Sequence, residues 1–253
     1  MLQLSPRLGK IASFVKMGEK IADIGTDHGY LPIKLTMDGV SPHVILSDIN
    51  EGPLDKAREN INEHLRGREL DIRQGYGLEC LEPEEVEVVV IAGMGGILIS
   101  DILAKDIQKT RSYQKFILQP RNNSAILRRW LNTNDMTITD EEIVKEGDHF
   151  CEIIVAVPGG TETPEHIQKL KGVAYAEEMS GIPQEVLCEV PIMWLLSNGE
   201  LVPEYLWFKL EKEKEKIEEI SKNGSSNESK LTLEKAIIRR DILRSFFEPG
   251  AGE

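Results

Sequence analysis

The stretch Ile21-Ala22-Asp23-Ile24-Gly25-Thr26-Asp27-His28-Gly29-Tyr30-Leu31 constrains this chain more than any other. A short apolar run carries one acidic residue, breaks into glycines, and yields to an apolar, helix-compatible stretch at Tyr30. That order reads as strand, tight turn and helix, which sets a nucleotide-like ligand against a helix N-terminus. Glycine is needed because a Cβ would hold the backbone off the ligand, or would forbid the turn's positive φ. The dinucleotide fingerprint is G-x-G-x-x-G. Here the pattern is D-x-G-x-D-x-G, with the second glycine absent and an acid ahead of the first.

Strand and helix patterns alternate around this turn. Leu4, Leu8, Ile11, Ala12 and Val15 predict a helix over 4–15, started by Ser5-Pro6. Strands are expected at 20–24, 43–47, 70–73, 86–91 and 115–118, with helices at 29–37, 53–65 and 96–104. A further helix runs to Leu131, with Asn123 or Ser124 as its cap. The run 86–91 is almost continuously apolar and β-branched, as suits a central strand buried on both faces. Strands 137–144 and 150–157 have no helix between them and should pair antiparallel. The fold class is thus α/β, a Rossmann-like doubly wound sheet with an antiparallel edge strand. Asp48, Gln74-Gly75-Tyr76-Gly77 and Ala92-Gly93-Met94-Gly95-Gly96 join the first turn at the strands' carboxyl ends, where such sheets bind ligands. Asp48 sits where an acid meets a ribose hydroxyl, about 20 residues past the glycine turn.

After Pro158-Gly159-Gly160 the character changes. Residues 163–195 read as irregular helix, broken by Pro183 and Pro191. Charged helices over 203–220 and 228–247, joined by a polar turn, form a hairpin of coiled-coil type whose plain role is scaffold or oligomer contact. This divides the chain into domains 1–160 and 161–253. Trp194 and Trp207 are expected in packing, as is Trp130. His43, His64 and His166 are read as surface residues, and His149 is placed in a turn.

Composition narrows the function classes. Three cysteines, odd in number and without a C-x-x-C pair, argue against a disulfide framework or zinc site and for a reducing cytoplasm. Residues 1–10 lack a signal-peptide core, and the most apolar window, 88–99, is too short to span a bilayer. A soluble protein without metal is expected, with a monomer as the default state. The net charge of −13 speaks against nucleic acid. Its distribution speaks the other way. Lys105, Lys109, Arg111, Lys115, Arg121, Arg128 and Arg129 stand against a single Asp106. Two readings of this island stand: a face that meets phosphate, or a solvated helix surface.

Three phrases carry a family resemblance: residues 22–32 around the glycine turn, Ile91-Ala92-Gly93-Met94-Gly95-Gly96, and Leu118-Gln119-Pro120 followed by Leu127-Arg128-Arg129-Trp130-Leu131. With the terminal hairpin, the chain resembles the bacterial tRNA (adenine-22-N1)-methyltransferases throughout its length. The resemblance implies methyl transfer from S-adenosylmethionine to N1 of an adenosine in tRNA, releasing S-adenosylhomocysteine. It implies that Asp23, Gly25, Asp27, His28 and Gly29 line the methionine and sulfonium end of the cofactor. Asp48 matches the ribose acid; Gln74, Gly75 and Gly77 meet the adenine; Gly93, Met94 and Gly95 border the transferable methyl. Exocyclic-amine methylases carry Asn or Asp with Pro-Pro and an aromatic at that last loop. None is here, which fits a ring-nitrogen acceptor.

N1 has a free lone pair and needs no base, but its product is cationic, so a nearby carboxylate would stabilise developing charge. Asp27 is the candidate, the alternative being a cap on the following helix. N1 lies on the pairing edge, so the base must leave its stack, and Tyr30, His28 or Met94 could pack against it. Arg7, Arg121, Arg128 and Arg129 are the expected RNA contacts, together with Tyr30. Rival readings are a nicotinamide dehydrogenase, a methyltransferase of another RNA or a small molecule, and an interaction protein with a degenerate site.

Overall fold

Alternate side chains of the central strands are buried on opposite faces, which accounts for their unbroken apolar sequence. The computed structural model of the chain describes residues 2–159, 188, 189, 191, 200–223 and 226–245. The chain divides into two compact units, Met1–Ala176 and Glu177–Glu253. The first unit is built on β1 (Ile21–Ile24), β2 (Val44–Asp48), β3 (Asp71–Gln74), β4 (Val88–Met94), β5 (Lys115–Pro120), β6 (Met136–Glu146) and β7 (His149–Pro158). Their order is β3-β2-β1-β4-β5-β7-β6. β1 to β5 are parallel, and β7 runs antiparallel to both β5 and β6. Strand order reverses between β1 and β4, the switch point that opens a crevice at the carboxyl ends.

On one face, Ala22, Ile24, Val89, Ile91, Phe116 and Leu118 pack with Ile99, Ile102 and Leu103 of α4 (Gly96–Ala104) and with Leu127 and Leu131 of α6 (Ser124–Thr133). On the other, Ile21, Val88, Val90 and Ile117 pack with Ile11 of α1 (Pro6–Ser13) and with Leu31 and Leu35 of α2 (Tyr30–Met37). α3 (Glu51–Leu65) closes a third cluster, setting Ala57, Ile61 and Leu65 against Leu46. Ser5 caps α1, its Oγ accepting from the Leu8 N–H at 3.4 Å, and Pro6 opens the helix. Asn123 does not cap α6 through its side chain; it takes a left-handed φ of 52° and donates Nδ2–H to Asn122 Oδ1. The 3-10 turn Gly77–Cys80 and the short α5 (Ile107–Thr110) have too few residues for a periodic pattern to reveal them. His149 opens β7 instead of lying in a turn.

The basic island is scattered by folding. Lys115 Nζ reaches Glu19 Oε2 and the Phe14 carbonyl, both at 2.8 Å. Arg111 pairs with Asp135 at 3.1 Å, Lys105 with Glu79, and Lys109 Nζ donates to the Leu78 carbonyl. Arg128, expected on RNA, is 3% exposed; its Nε lies 2.5 Å from Glu141 Oε1 and its Nη2 2.7 Å from Glu152 Oε2. It is a buried tie between α6 and the β6–β7 pair, because α6 turns Leu127, Arg128 and Leu131 inward together. Arg121 and Arg129 stay exposed.

The second unit contains α7 (Val202–Asn223) and α8 (Asn227–Ser245), which pack on each other. Tyr205, Leu206, Leu210, Ala236 and Leu243 are buried, and Arg239 Nε lies 3.1 Å from Glu213 Oε1. Trp207, expected in packing, is 55% exposed, with Lys214 Nζ 5.1 Å from its ring centre. Trp194, His166 and most of the predicted irregular helix lie outside the described residues. Among the described residues, no helix is long and apolar enough to cross a membrane.

Removing one partner of a buried ion pair strands the other charge, which costs about 3–5 kcal/mol. Arg128→Ala should lose that much in chemical denaturation, whereas Arg129→Ala should stay within about 0.5 kcal/mol of the parent.

Candidate functional site at the strands' carboxyl ends

The two glycine-rich turns meet at the switch point. β1 and β4 pair with Ile24 opposite Ile91, so Gly25 and the loop 93–95 leave the sheet side by side. Gly25 has φ 73°, and a Cβ there would lie 2.0 Å from the Met94 methyl, so that methyl rests on the glycine. The N–H groups of Gly25 and Thr26 donate to the Ser47 carbonyl at 2.8 and 2.9 Å, which ties the turn to β2. Gly29 serves packing as well as conformation: at φ 70°, its Cβ would come 3.1 Å from Leu46 and 3.2 Å from Ala57. Gly77 is likewise closed in by Ile102, and Gly75 by Cys80.

Asp23 shares the Ile21 side of β1, the side covered by α1, and is buried. Burial pushes its carboxyl up to about 6 from 3.8, opposed by Thr26 and by the Arg7 charge. The Thr26 hydroxyl is near enough to favour the carboxylate, yet it makes no geometrically sound hydrogen bond to any described residue. A buried carboxylate so placed favours a cationic ligand group.

Asp27 stands at the rim with its side chain 82% exposed, 3.2 Å from His28 Nε2. It does not cap α2, whose N-cap is Gly29 with no side-chain cap bond. His28 takes φ 64° and stacks on Tyr30, ring centres 5.6 Å apart and 13° between planes. Asn60 Nδ2 donates to the His28 carbonyl at 2.8 Å, holding this unusual backbone in place. At the end of β2, Asp48 Oδ1 accepts the Asn50 N–H at 2.8 Å, and the Asp48 carbonyl accepts that of Gly75 at 3.0 Å. Gln74 Nε2 donates to the Ile49 carbonyl at 3.0 Å. Ile49 is a large exposed apolar side chain beside Asp48, passed over in the sequence because single exposed apolar residues are commonplace.

Arg7, expected to meet RNA, has its guanidinium turned inward: Nη1 donates to Gln119 Oε1 at 2.9 Å, and Nε lies 3.7 Å from Glu146. Gln119, part of the Leu118-Gln119-Pro120 phrase but given no role there, is a further residue that sequence reasoning missed at this site; its signal was a polar side chain closing the apolar strand Phe116-Ile117-Leu118. Arg121 follows β5 and its N–H donates to the Met94 carbonyl at 2.8 Å, which brings its exposed charge beside the loop. Gly95 and Gly96 face Asn122 and Asn123 so closely that a Cβ on Gly96 would sit 2.3 Å from the Asn123 carbonyl oxygen. No group of three or more His, Cys, Asp or Glu among the described residues is placed to hold a metal ion.

A methyltransferase-domain model matches residues 4–154. The Bacillus subtilis tRNA (adenine(22)-N(1))-methyltransferase is 34% identical over 158 residues, covering 62% of this chain, which spans 66% of that protein's length. The crystal structure of the B. subtilis m1A22 tRNA methyltransferase TrmK is similar over 97% of this chain and 99% of its own, with TM-score 0.78 and 26% identity. The Streptococcus pneumoniae protein Sp1610, a candidate tRNA (m1A22) methyltransferase, is 31% identical over 95% of this chain and 100% of its own, with TM-score 0.69. It has also been solved in complex with S-adenosyl-L-methionine.

For an acid whose folded pKa exceeds its unfolded value, the folded state holds the extra proton, so stability falls as pH rises between the two. The difference in folding free energy between wild type and Asp23→Asn should therefore change by about 2 kcal/mol between pH 4 and pH 6.5, wild type losing ground as pH rises. Denaturation of both proteins across that window measures it.

Proposed function

Because the chain belongs to the methyltransferase-domain family and, within it, to the tRNA (adenine-22-N1)-methyltransferases, we propose that it methylates N1 of adenosine 22 in tRNA, using S-adenosylmethionine. The observation that carries this reading is the meeting of the Gly25 turn with the Met94 loop over a buried Asp23. The residues fit the cofactor. Asp23, Gly25, His28 and Gly29 would hold its cationic methionine end, Asp48 its ribose, and Gln74, Gly75, Gly77 and the exposed Ile49 its adenine. Met94 is an unbranched, adaptable side chain over Gly25, able to shift as the cleft fills. When bound, S-adenosylmethionine supplies an electrophilic methyl on a sulfonium and leaves as S-adenosylhomocysteine.

The chain's own contribution is alignment and charge. The lone pair of N1 attacks without prior deprotonation, so no general base is called for; the residues must hold the base edge-on to the methyl. Gly93, Met94 and Gly95 form the wall along which it enters, and the two glycines leave room for a ring nitrogen. Asp27 stabilises the positive charge that develops on the adenine. Its exposure in the free protein means that this effect grows when the swung-out base covers it and water leaves. The stacked His28 and Tyr30 rings offer the base a platform. Arg121 and Arg129 meet phosphates, while Arg7 and Arg128 act from inside the protein. The α7–α8 pair is read as a coiled coil, and tRNA as substrate supports a cytoplasmic location.

Labelled-methyl transfer to unmodified tRNA transcripts should yield N1-methyladenosine, lost when adenosine 22 is replaced. Label in another nucleoside, or only on a small acceptor, would move the assignment to another methyltransferase class. Asp27→Asn should lower kcat about tenfold to a hundredfold with S-adenosylhomocysteine affinity unchanged. Arg121→Ala with Arg129→Ala should weaken tRNA binding and reduce the log–log salt slope by about two; an unchanged slope would exclude both as phosphate contacts.

A further inference from the structure

The loop beside Gly25 is built almost without side chains, so something other than steric packing must hold it. Gly93 has φ 78°, and a Cβ there would find nothing within 4 Å. Three tethers come from the segment that ends β5. The Arg121 N–H donates to the Met94 carbonyl at 2.8 Å, the Gly96 N–H donates to the Asn122 carbonyl at 2.9 Å, and the Gly93 N–H donates to Gln119 Oε1 at 3.1 Å. The first two are backbone to backbone. The third depends on one side chain.

That third bond answers a defect in the sheet. β4 and β5 pair Ala92 with Gln119 and Met94 with Pro120, so Gly93 is the extra residue of a bulge and its N–H has no strand partner. Gln119 folds its own side chain back to fill the missing acceptor. Its orientation is fixed by two further bonds: Oε1 also accepts from Arg7 Nη1 at 2.9 Å, and Nε2 donates to the Pro120 carbonyl at 3.1 Å. A reversed carboxamide would set its NH2 against two N–H donors and its oxygen against a carbonyl. At 3% exposure the amide has no solvent to substitute for these partners. Arg7 is itself held, its backbone N–H donating to Glu146 Oε1 at 2.8 Å.

We propose that Gln119 is a positioning residue for methyl transfer: with Arg7 orienting its carboxamide, it fixes the Gly93–Met94–Gly95 loop against Gly25. Helix α1 is thereby wired to the place where the acceptor base enters. The inference rests on the function proposed above and assigns Arg7 an orienting role within the protein. Loss of the tether lets the loop drift, and a misplacement of about 1 Å near reacting atoms can cost about a hundredfold in rate.

The test compares wild type, Gln119→Leu and Gln119→Glu by tRNA methylation, S-adenosylhomocysteine binding and amide hydrogen exchange. Gln119→Leu should lower kcat at least about tenfold, with KM for tRNA and the S-adenosylhomocysteine Kd changing less than about threefold. The Gly93 amide should lose protection in this variant while Val88 to Ile91 keep theirs. Gln119→Glu retains an acceptor for both donors but turns its second oxygen toward the Pro120 carbonyl, so it should recover only part of the lost kcat. A folded Gln119→Leu with wild-type kcat overturns the positioning role, as does a Gln119→Glu no better than Gln119→Leu. Absence of wild-type turnover on tRNA would instead refute the functional reading. Gly93 exchange then decides the inference alone, and unchanged protection in Gln119→Leu overturns it.

Discussion

Parallel pairing of β1 with β4 is the constraint on which this molecule depends. Neither strand follows the other in sequence, yet their register, Ile24 opposite Ile91, makes two glycine turns leave the sheet as neighbours. A sheet wound in both directions has to open a crevice where its strand order reverses. The side chains gathered around this one come from segments as far apart as residues 7, 23, 48, 94 and 119. Helices on both faces bury the apolar runs of the central strands, and that rigidity lets a thioether methyl rest on a glycine Cα.

Burial decides what each charged residue does here. Asp23 at the switch point is desolvated with only partial compensation, so its carboxyl is poised near neutrality and is suited to a cationic guest. Arg128 is desolvated with full compensation from Glu141 and Glu152, so its charge is spent on holding α6 to the β6–β7 pair. Asp27 stays exposed at the rim, beside His28 Nε2. Three ionisable groups thus differ in their surroundings: one is buried with partial compensation, one is buried and paired with two carboxylates, and one is exposed.

The resemblance carried by the glycine turns and the Ala-Gly-Met-Gly-Gly phrase matched the relatives found, and the predicted alternation of strands and helices matched the sheet. α4 was legible to the residue, since glycines open it and its apolar pattern is unbroken. The turn Gly77–Cys80 and α5 were not, because a single turn has no period. The basic island was legible as charge but not as surface: Lys115, Arg111 and Arg128 each found a carboxylate distant in sequence, and linear spacing is blind to such partners. Trp207 was expected in core or hairpin packing, and more than half of it is exposed.

The sequence by itself determined the periodic and local features: strand and helix pattern, the glycines that permit positive φ, and the acids at strand ends. These follow from backbone sterics and from the repeat lengths of strand and helix, which any reader of the chain can apply. Only the tertiary structure decided which polar groups share a neighbourhood. It turned Arg7 inward to Gln119, buried Arg128, left Arg121 and Arg129 in solvent, and brought Gln119 to the unpaired N–H of Gly93. The reason is that a buried hydrogen bond or ion pair is selected by desolvation, and desolvation depends on how distant segments pack.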